Sequence, residues 1–307
     1  MIRIVVYLLI YILTIAVSFA QVKSDNVLIK NNDVELPGTL TYTNLKTPLL
    51  IWVHGSGNVD RNGNQEPVVK ANYIKQFRDS VNKHNIAFFS YDKRTANKKN
   101  ISILKKGIVF EDYVADLKKV INHFKNDNRF SKIILIGHSQ GSLVSMLAMK
   151  NVDKFISLAG PHLSADKAII KQYEEKAPFL KDAIVSHFKE LNETGTIKEL
   201  NPMLFNLLNK TNQPFIKSWM QYNPSDEIKK INNPILLING DNDLQVKTVS
   251  VKKLQEANPK SKSVIIKNMN HVLKQVNSPT ENQQSYFSAD FPLATELIKS
   301  VVNFVKE

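Results

Sequence analysis

The chain has no cysteine. Disulfides, thiolate metal sites, a cysteine nucleophile and a lipid anchor on Cys are therefore excluded. No repeat of fixed period and no long low-complexity tract occurs. Concentrated positive charge is also missing, although the formal net charge is +13 at pH 7. The cations are scattered singly or as pairs such as Lys98-Lys99, Lys105-Lys106, Lys118-Lys119 and Lys229-Lys230. No basic run alternates with aromatics, so a nucleic-acid partner is not expected and a solvated basic surface is.

With 307 residues, 43% of them apolar and 22% charged, the chain can bury a core that needs no covalent staple. Its first segment, "MIRIVVYLLIYILTIAVSFAQ", stands apart. One cation, Arg3, precedes an apolar run from Ile4 to Val17, and Ser18 and Ala20 supply small residues for cleavage. Residues 1–20 read as a signal peptide cleaved after Ala20, which predicts a secreted or periplasmic protein with no membrane span after cleavage. An uncleaved anchor is the competing reading, since the run approaches the ~18–20 residues that cross a bilayer.

Beyond this segment, short apolar strands alternate with helical patterns. Val27 to Thr43 reads as two strands around "NND", with Pro37-Gly38 as a bend. Strands follow at "PLLIWV", "IAFFSYD", "KIILIG", "KFISLAG", "PILLING" and "SVIIK". Helical spacing is seen over 67–83, in "FEDYVADLKKVINHF", in "GSLVSMLAMK", near Val249–Ala257 and from Ala294 to Val305. The strands are too apolar for one-sided sheets, so an α/β fold is predicted: a mostly parallel sheet with helices on both faces. The stretch between Gly160 and Ile231 is far longer than the ~10–12 residues a crossover needs. Residues 161–231 are thus expected to be a helical insertion, a lid, in a core of residues 21–160 and 232–307. Its aromatics include Tyr173, Phe179, Phe188, Phe205, Phe215, Trp219 and Tyr222. It leaves from a strand's carboxyl end, where ligands bind in such sheets.

The chemistry is concentrated in "IILIGHSQGS". An apolar strand runs into Gly137-His138-Ser139-Gln140-Gly141, the pattern of a turn that exposes a nucleophilic serine. Serine needs a base, an acid to orient the base, and an oxyanion hole. "PILLINGDNDLQV" offers Asp241 and Asp243 just past a strand. Asp243 is preferred because it lies later in the loop, whereas Asp241 suits a turn cap. "SVIIKNMNHVLKQ" places His271 past the next strand, so the order is Ser, Asp, His. His84, His123 and His187 read as surface or helix residues, and the His138 ring is expected to point away from the serine. "HGSG", His54 to Gly57, is a loop of small residues. It suits an oxyanion hole built from the N–H of Ser56 or Gly57 together with that of Gln140. His54 has no cluster of partners and is read as structural rather than metal-binding. Neither metal nor cofactor is expected.

These residues resemble the α/β-hydrolase superfamily, and within it secreted bacterial serine esterases and serine-aminopeptidase-like hydrolases. The similarity is carried by "HGSGNVDRNGN", "SYDKRT", "GHSQGS", "NGDNDLQV" and "NHVLKQ". It implies Ser139, Asp243 and His271 as the catalytic triad. It also implies that Asp60-Arg61, Asp92 and Arg94 brace the oxyanion loop by charge pairing. Thr95 stands where the commoner family form has Gly. The expected activity is hydrolysis of a small-molecule acyl ester. A peptidase would use the same triad and would need a carboxylate in the insertion to hold a substrate amine; Glu174, Glu175, Asp182, Glu190, Glu193 and Glu199 are available. A non-catalytic binding protein would have no use for all three triad residues, and a haloalkane dehalogenase would need Asp in place of Ser139.

Overall fold

The computed structural model describes residues 21–307. The expected signal peptide, residues 1–20, lies outside the described residues. Eight strands form one sheet: β1 (Lys23–Asn31), β2 (Val34–Tyr42), β3 (Thr47–Val53), β4 (Ala87–Tyr91), β5 (Phe130–His138), β6 (Lys154–Leu158), β7 (Ile235–Gly240) and β8 (Lys262–Ile266). Their spatial order is β1-β2-β4-β3-β5-β6-β7-β8. The β1–β2 and β2–β4 pairs are antiparallel, and every pair from β4 to β8 is parallel.

The continuous apolar strands follow from burial on both faces. Along β3, Leu49, Ile51 and Val53 join a cluster completed by Leu117 and Val120 of the helix Phe110–Phe124, Leu143 of the helix Gln140–Met146, and Leu254 of the helix Val249–Ala257. Leu50 and Trp52, one residue out of phase, join the opposite cluster with Phe77 of the helix Tyr73–Asn82 and Val301 of the helix Thr295–Lys306. Strict alternation between two buried layers leaves no polar face on the central strands. The edges differ: β1 and β8 show alternate or outright exposure. Among the described residues, no helix is long and apolar enough to cross a membrane.

Two local expectations are corrected. Pro37-Gly38 is not a bend, because β2 runs straight through it. Pro37 pairs with Leu28 of β1, and the ladder with β4 begins only at Gly38, opposite Tyr91, so Pro37 needs no N–H there. Glycine serves a different purpose: the Phe89 ring lies where a side chain at 38 would stand. The helix expected over 67–83 begins at Tyr73 instead. Val69 bridges back to Gln65, and Asn64 bonds Asn72 through side chain and backbone, which closes a loop ahead of the helix.

Between β6 and β7 the chain forms the helices Ala165–Lys176, Lys181–Thr194, Phe205–Leu208, Gln213–Met220 and Pro224–Ile228. This segment has its own small core, including Ile184, Phe188, Leu191, Leu204 and Leu208. Phe215, Trp219 and Tyr222 dock on the main body. Trp219 stacks on Phe110 at 5.8 Å, and the Phe110 N–H donates to Ser218 Oγ at 2.7 Å. Phe179 and Phe205, which the sequence offered alongside them, are exposed.

A Cβ added at Gly38 would lie 2.5 Å from Phe89 Cε2 and 2.9 Å from Ser90 O. Gly38→Val is therefore expected to cost about 1–3 kcal/mol through forced repacking, read as a lowered urea midpoint. A variant as stable as the parent would contradict this account of β2.

Candidate active site

Only Ser139 separates the end of β5 from the helix Gln140–Met146. The turn is that abrupt because Ser139 adopts φ 53° and ψ −122°, a conformation L-residues avoid. Such strain costs on the order of 1–3 kcal/mol and persists only where the surroundings enforce it. Here the Ser139 N–H donates to Leu158 O on β6, and its carbonyl accepts from Ser142 N, both at 2.9 Å. The flanking glycines allow close passage. A Cβ at Gly137 would lie 2.5 Å from Gly141 O, and one at Gly141 would lie 2.5 Å from His54 O. Ser139 is half-buried in the wall of a cavity of about 110 Å³, shared with Ser56, His138, Gln245, His271 and Tyr286.

Of the two aspartates, Asp243 reaches the histidine: its Oδ2 lies 2.8 Å from His271 Nδ1. Its Oδ1 accepts from the N–H groups of Gln245 (2.7 Å) and Val246 (2.9 Å). Burial alone would push this carboxyl up. The charge and hydrogen bond of His271, with the two backbone donors, outweigh burial and hold it below its ordinary value. Asp241 instead accepts from Asn268 N at 2.6 Å and caps a turn. The two loops are fixed to each other through Asn282. Its Nδ2 donates to Asn242 O beside the acid, and its Oδ1 accepts from Asn270 beside the histidine. His138 also contributes: its Nε2 lies 2.9 Å from His271 O, so the ring braces the histidine loop. Among the described residues no hydrogen bond joins Ser139 Oγ to His271; the two meet as walls of one cavity. Catalytic hydrogen bonds are often long without substrate.

Ser56 and Gly57 follow β3, and Gln140 opens the elbow helix, where its N–H has no intrahelical acceptor. All three line a second cavity of about 470 Å³, whose far wall comes from the insertion: Leu207, Phe215, Ile216 and Trp219. Gly57 has φ 94°, and the Gln65 side chain occupies the space a Cβ would need.

The expected charge bracing is present in part. Arg61 clasps Asp92 through Nε (2.9 Å) and Nη2 (2.8 Å), which ties the loop after β3 to the end of β4. Arg94, however, turns away to Asp116 and Asp112 of the helix Phe110–Phe124. Asp60 pairs with no cation among the described residues and caps the loop by accepting from Asn62 N and Asn64 N. Thr95 needs no glycine-like backbone, since its φ is not positive. Sequence reasoning passed over Lys93, which lies between these groups. It is buried, and its Nζ donates to Gly55 O (2.8 Å) and Gln140 Oε1 (2.9 Å), 4.1 Å from the centre of the Tyr113 ring. In a lysine-rich sequence nothing marks this one; only its place between Asp92 and Arg94 could have. Among the described residues no cluster of three or more His, Cys, Asp or Glu could hold a metal.

His54 and His138 are buried, and burial pushes both down to about 3. The unfolded chain takes up protons at these histidines near pH 6.5 while the folded chain stays neutral, so folding stability falls as pH drops from 6.5 towards 3. Each contributes a slope of up to about 1.4 kcal/mol per pH unit. Among the described residues neither ring nitrogen of His54 has a hydrogen-bond partner. His54→Phe should therefore fold and should flatten the loss between about pH 6.5 and 5, above most of the carboxylate range. Urea titrations at the two pH values check this, and an unchanged slope would contradict the neutral His54.

The BD-FAE family model matches residues 33–257, a span that includes Ser139 and Asp243 and stops short of His271. No curated protein matches the chain in sequence. Solved structures share the fold across nearly the whole chain. Est1E from Butyrivibrio proteoclasticus is 17% identical, covers 92% of this chain and 96% of its own, and has a TM-score of 0.56. The esterase Pf2001 of Pyrococcus furiosus is 18% identical, with 92% and 90% covered and a TM-score of 0.58. The acylaminoacyl peptidase of Pyrococcus horikoshii is 13% identical with a TM-score of 0.59, and 94% of this chain matches 42% of that one. By the family match and the shared architecture, the chain belongs to the BD-FAE family and has the α/β-hydrolase fold.

Proposed function

We propose that the protein is a secreted serine hydrolase that cleaves a carboxylic ester through an acyl-enzyme on Ser139. The observation that carries this reading is one constellation: a serine held at φ 53° on the wall of a cavity that it shares with His271, whose Nδ1 is bonded to Asp243. In the first step Ser139 Oγ attacks the acyl carbon and His271 Nε2 takes the proton. Asp243 holds the imidazole in the tautomer that leaves Nε2 free and stabilises the imidazolium. The tetrahedral oxyanion is received by the N–H groups of Gln140 and of Ser56 or Gly57. As the intermediate collapses, His271 returns the proton to the departing alcohol. A water molecule, deprotonated by the same imidazole, then releases the acid. No step needs a cofactor. Secretion is part of the same reading and rests on the N-terminal sequence.

The 470 Å³ cavity beside the oxyanion residues suits a bulky apolar or aromatic group of the ester, because Tyr113, Phe215, Ile216 and Trp219 line it. In this reading the insertion is the lid that supplies the cavity's outer wall. Est1E has been solved with ferulic acid, an aromatic acid, bound. The peptidase alternative is less well supported. Glu175 of the insertion lines a cavity with Leu244 and Gln245 of the acid loop and with Lys171, Lys176 and Lys247, which repel a substrate ammonium.

Two measurements test this. Ser139→Ala should lower kcat on p-nitrophenyl esters by roughly 10⁶-fold, and a fluorophosphonate should label the parent at Ser139; label on a different serine would overturn the assignment. Asp243→Asn should lower kcat by about 10⁴-fold and Asp241→Asn far less, since Asp241 only caps a turn. In the same assays, faster turnover of aminoacyl-p-nitroanilides than of esters would favour the peptidase.

A further inference from the structure

We propose that Lys93 is a positioning residue that sets the oxyanion hole, its ammonium tying the loop that carries Ser56 to the elbow that carries Gln140. This rests on the ester-hydrolase reading. The Nζ donates to Gly55 O at 2.8 Å and to Gln140 Oε1 at 2.9 Å. Each acceptor belongs to a residue at, or next to, an oxyanion donor, and the donors come from segments on different strands, β3 and β5. One cation thus fixes the distance between two N–H groups that must converge on a single oxygen. An error of about 1 Å in such placement can cost ~10²-fold. The backbone of Lys93 is itself held to the same loop, its N–H donating to Val59 O at 3.2 Å.

Burying a lysine is costly, and here no carboxylate repays the cost. Every charged group around it is committed elsewhere. Asp92 is clasped by Arg61, and Asp116 by Arg94 and Asn31. Asp112 also pairs with Arg94. His54, from β3, is neutral through burial, and the phenols of Tyr91 and Tyr113 are pushed above their ordinary value by burial. Desolvation therefore acts on Lys93 unopposed and pushes it down to about 7. A neutral amine keeps two N–H donors, but charge-assisted hydrogen bonds are roughly twice as strong as neutral ones. As pH rises through this value, the tie loosens. Loss of the Lys93 proton then gives kcat an alkaline limb.

The test follows kcat and KM for a p-nitrophenyl ester from about pH 5 to about pH 9, with thermal melts, in the parent and in Lys93→Met, Gln140→Glu and Ser139→Ala. Lys93→Met is expected to lower kcat by about 10²-fold, leave KM little changed and lose the alkaline limb. Gln140→Glu puts a carboxylate against Nζ and should move that limb to higher pH. This variant carries the test alone if Lys93→Met fails to fold. An alkaline limb that stays in place in Gln140→Glu, or a folded Lys93→Met with parental kcat and pH profile, would overturn the proposal. Turnover that survives in Ser139→Ala would overturn the ester-hydrolase reading instead, and is told apart by that variant alone.

Discussion

The site depends on backbone touching backbone at the carboxyl edge of the sheet. Gly141 lies against the carbonyls of Val53 and His54, with no room for a side chain between the elbow helix and the end of β3. Contact this close is possible only because β3 and β5 are parallel and end at the same level, Val53 opposite Gly137. Ser139, the proposed nucleophile, and the loop carrying Ser56 and Gly57 therefore come from strands that are hydrogen-bonded neighbours. Their separation is set by the ~4.8 Å spacing of a sheet rather than by flexible side chains. The strain at Ser139 is maintained by that register, since the two-sided hydrophobic core holds the strands in place.

The acid and the histidine are held differently. They lie beyond β7, which is buried throughout, and the mostly exposed edge strand β8, where Met269, Val272 and Leu273 pack the histidine loop into the core. A polar scaffold adds to this: Asn242, Asn282, Asn270 and Ser285 bond one another across the two loops. His138 reaches from the elbow to the His271 carbonyl. Such networks are costly if half satisfied and rigid if complete. Here the bonds are 2.7–3.0 Å long, and of the buried side-chain atoms in this network only His138 Nδ1 lacks a partner among the described residues; the imidazole is held through its backbone as well as by Asp243.

Much of this was legible in the sequence because the signals were local. Apolar runs of strand length and the 3.6-residue spacing of Phe110–Phe124 and Val249–Ala257 place those elements within a residue or two. The elbow glycines identify their own turn. The start of the helix at Tyr73 was hidden by local loop closure, but most illegible features involved partners more distant along the chain. Pro37-Gly38 looks like a bend unless one knows that Phe89, on a strand not yet formed, will lie over Gly38. Arg94 appears to belong with Asp92 until the helix Phe110–Phe124 brings Asp112 and Asp116 to it. Lys93 carries no signal beyond its place between Asp92 and Arg94, because a buried lysine and a surface lysine are the same letter. The Asn270–Asn282 pairing is likewise invisible in a chain rich in asparagine.

Charge around the oxyanion loop is partitioned with one residue left over. Arg61 and Arg94 each take bidentate carboxylates, and a guanidinium suits that geometry and keeps its proton at any working pH. These pairs fasten the loop to β4 and β4 to the neighbouring helix, a mechanical task that gains from permanence. Between them, Lys93 meets only a carbonyl, an amide oxygen and a phenol ring. An arginine there would bring a planar fork where the acceptors offer two single oxygens from different segments. The compact ammonium, with three rotatable donors, can bond both. Its proton is correspondingly the easiest to lose. In the proposed site, the geometry that lets one side chain join the loop of Ser56 to the elbow of Gln140 thereby also makes that junction sensitive to pH.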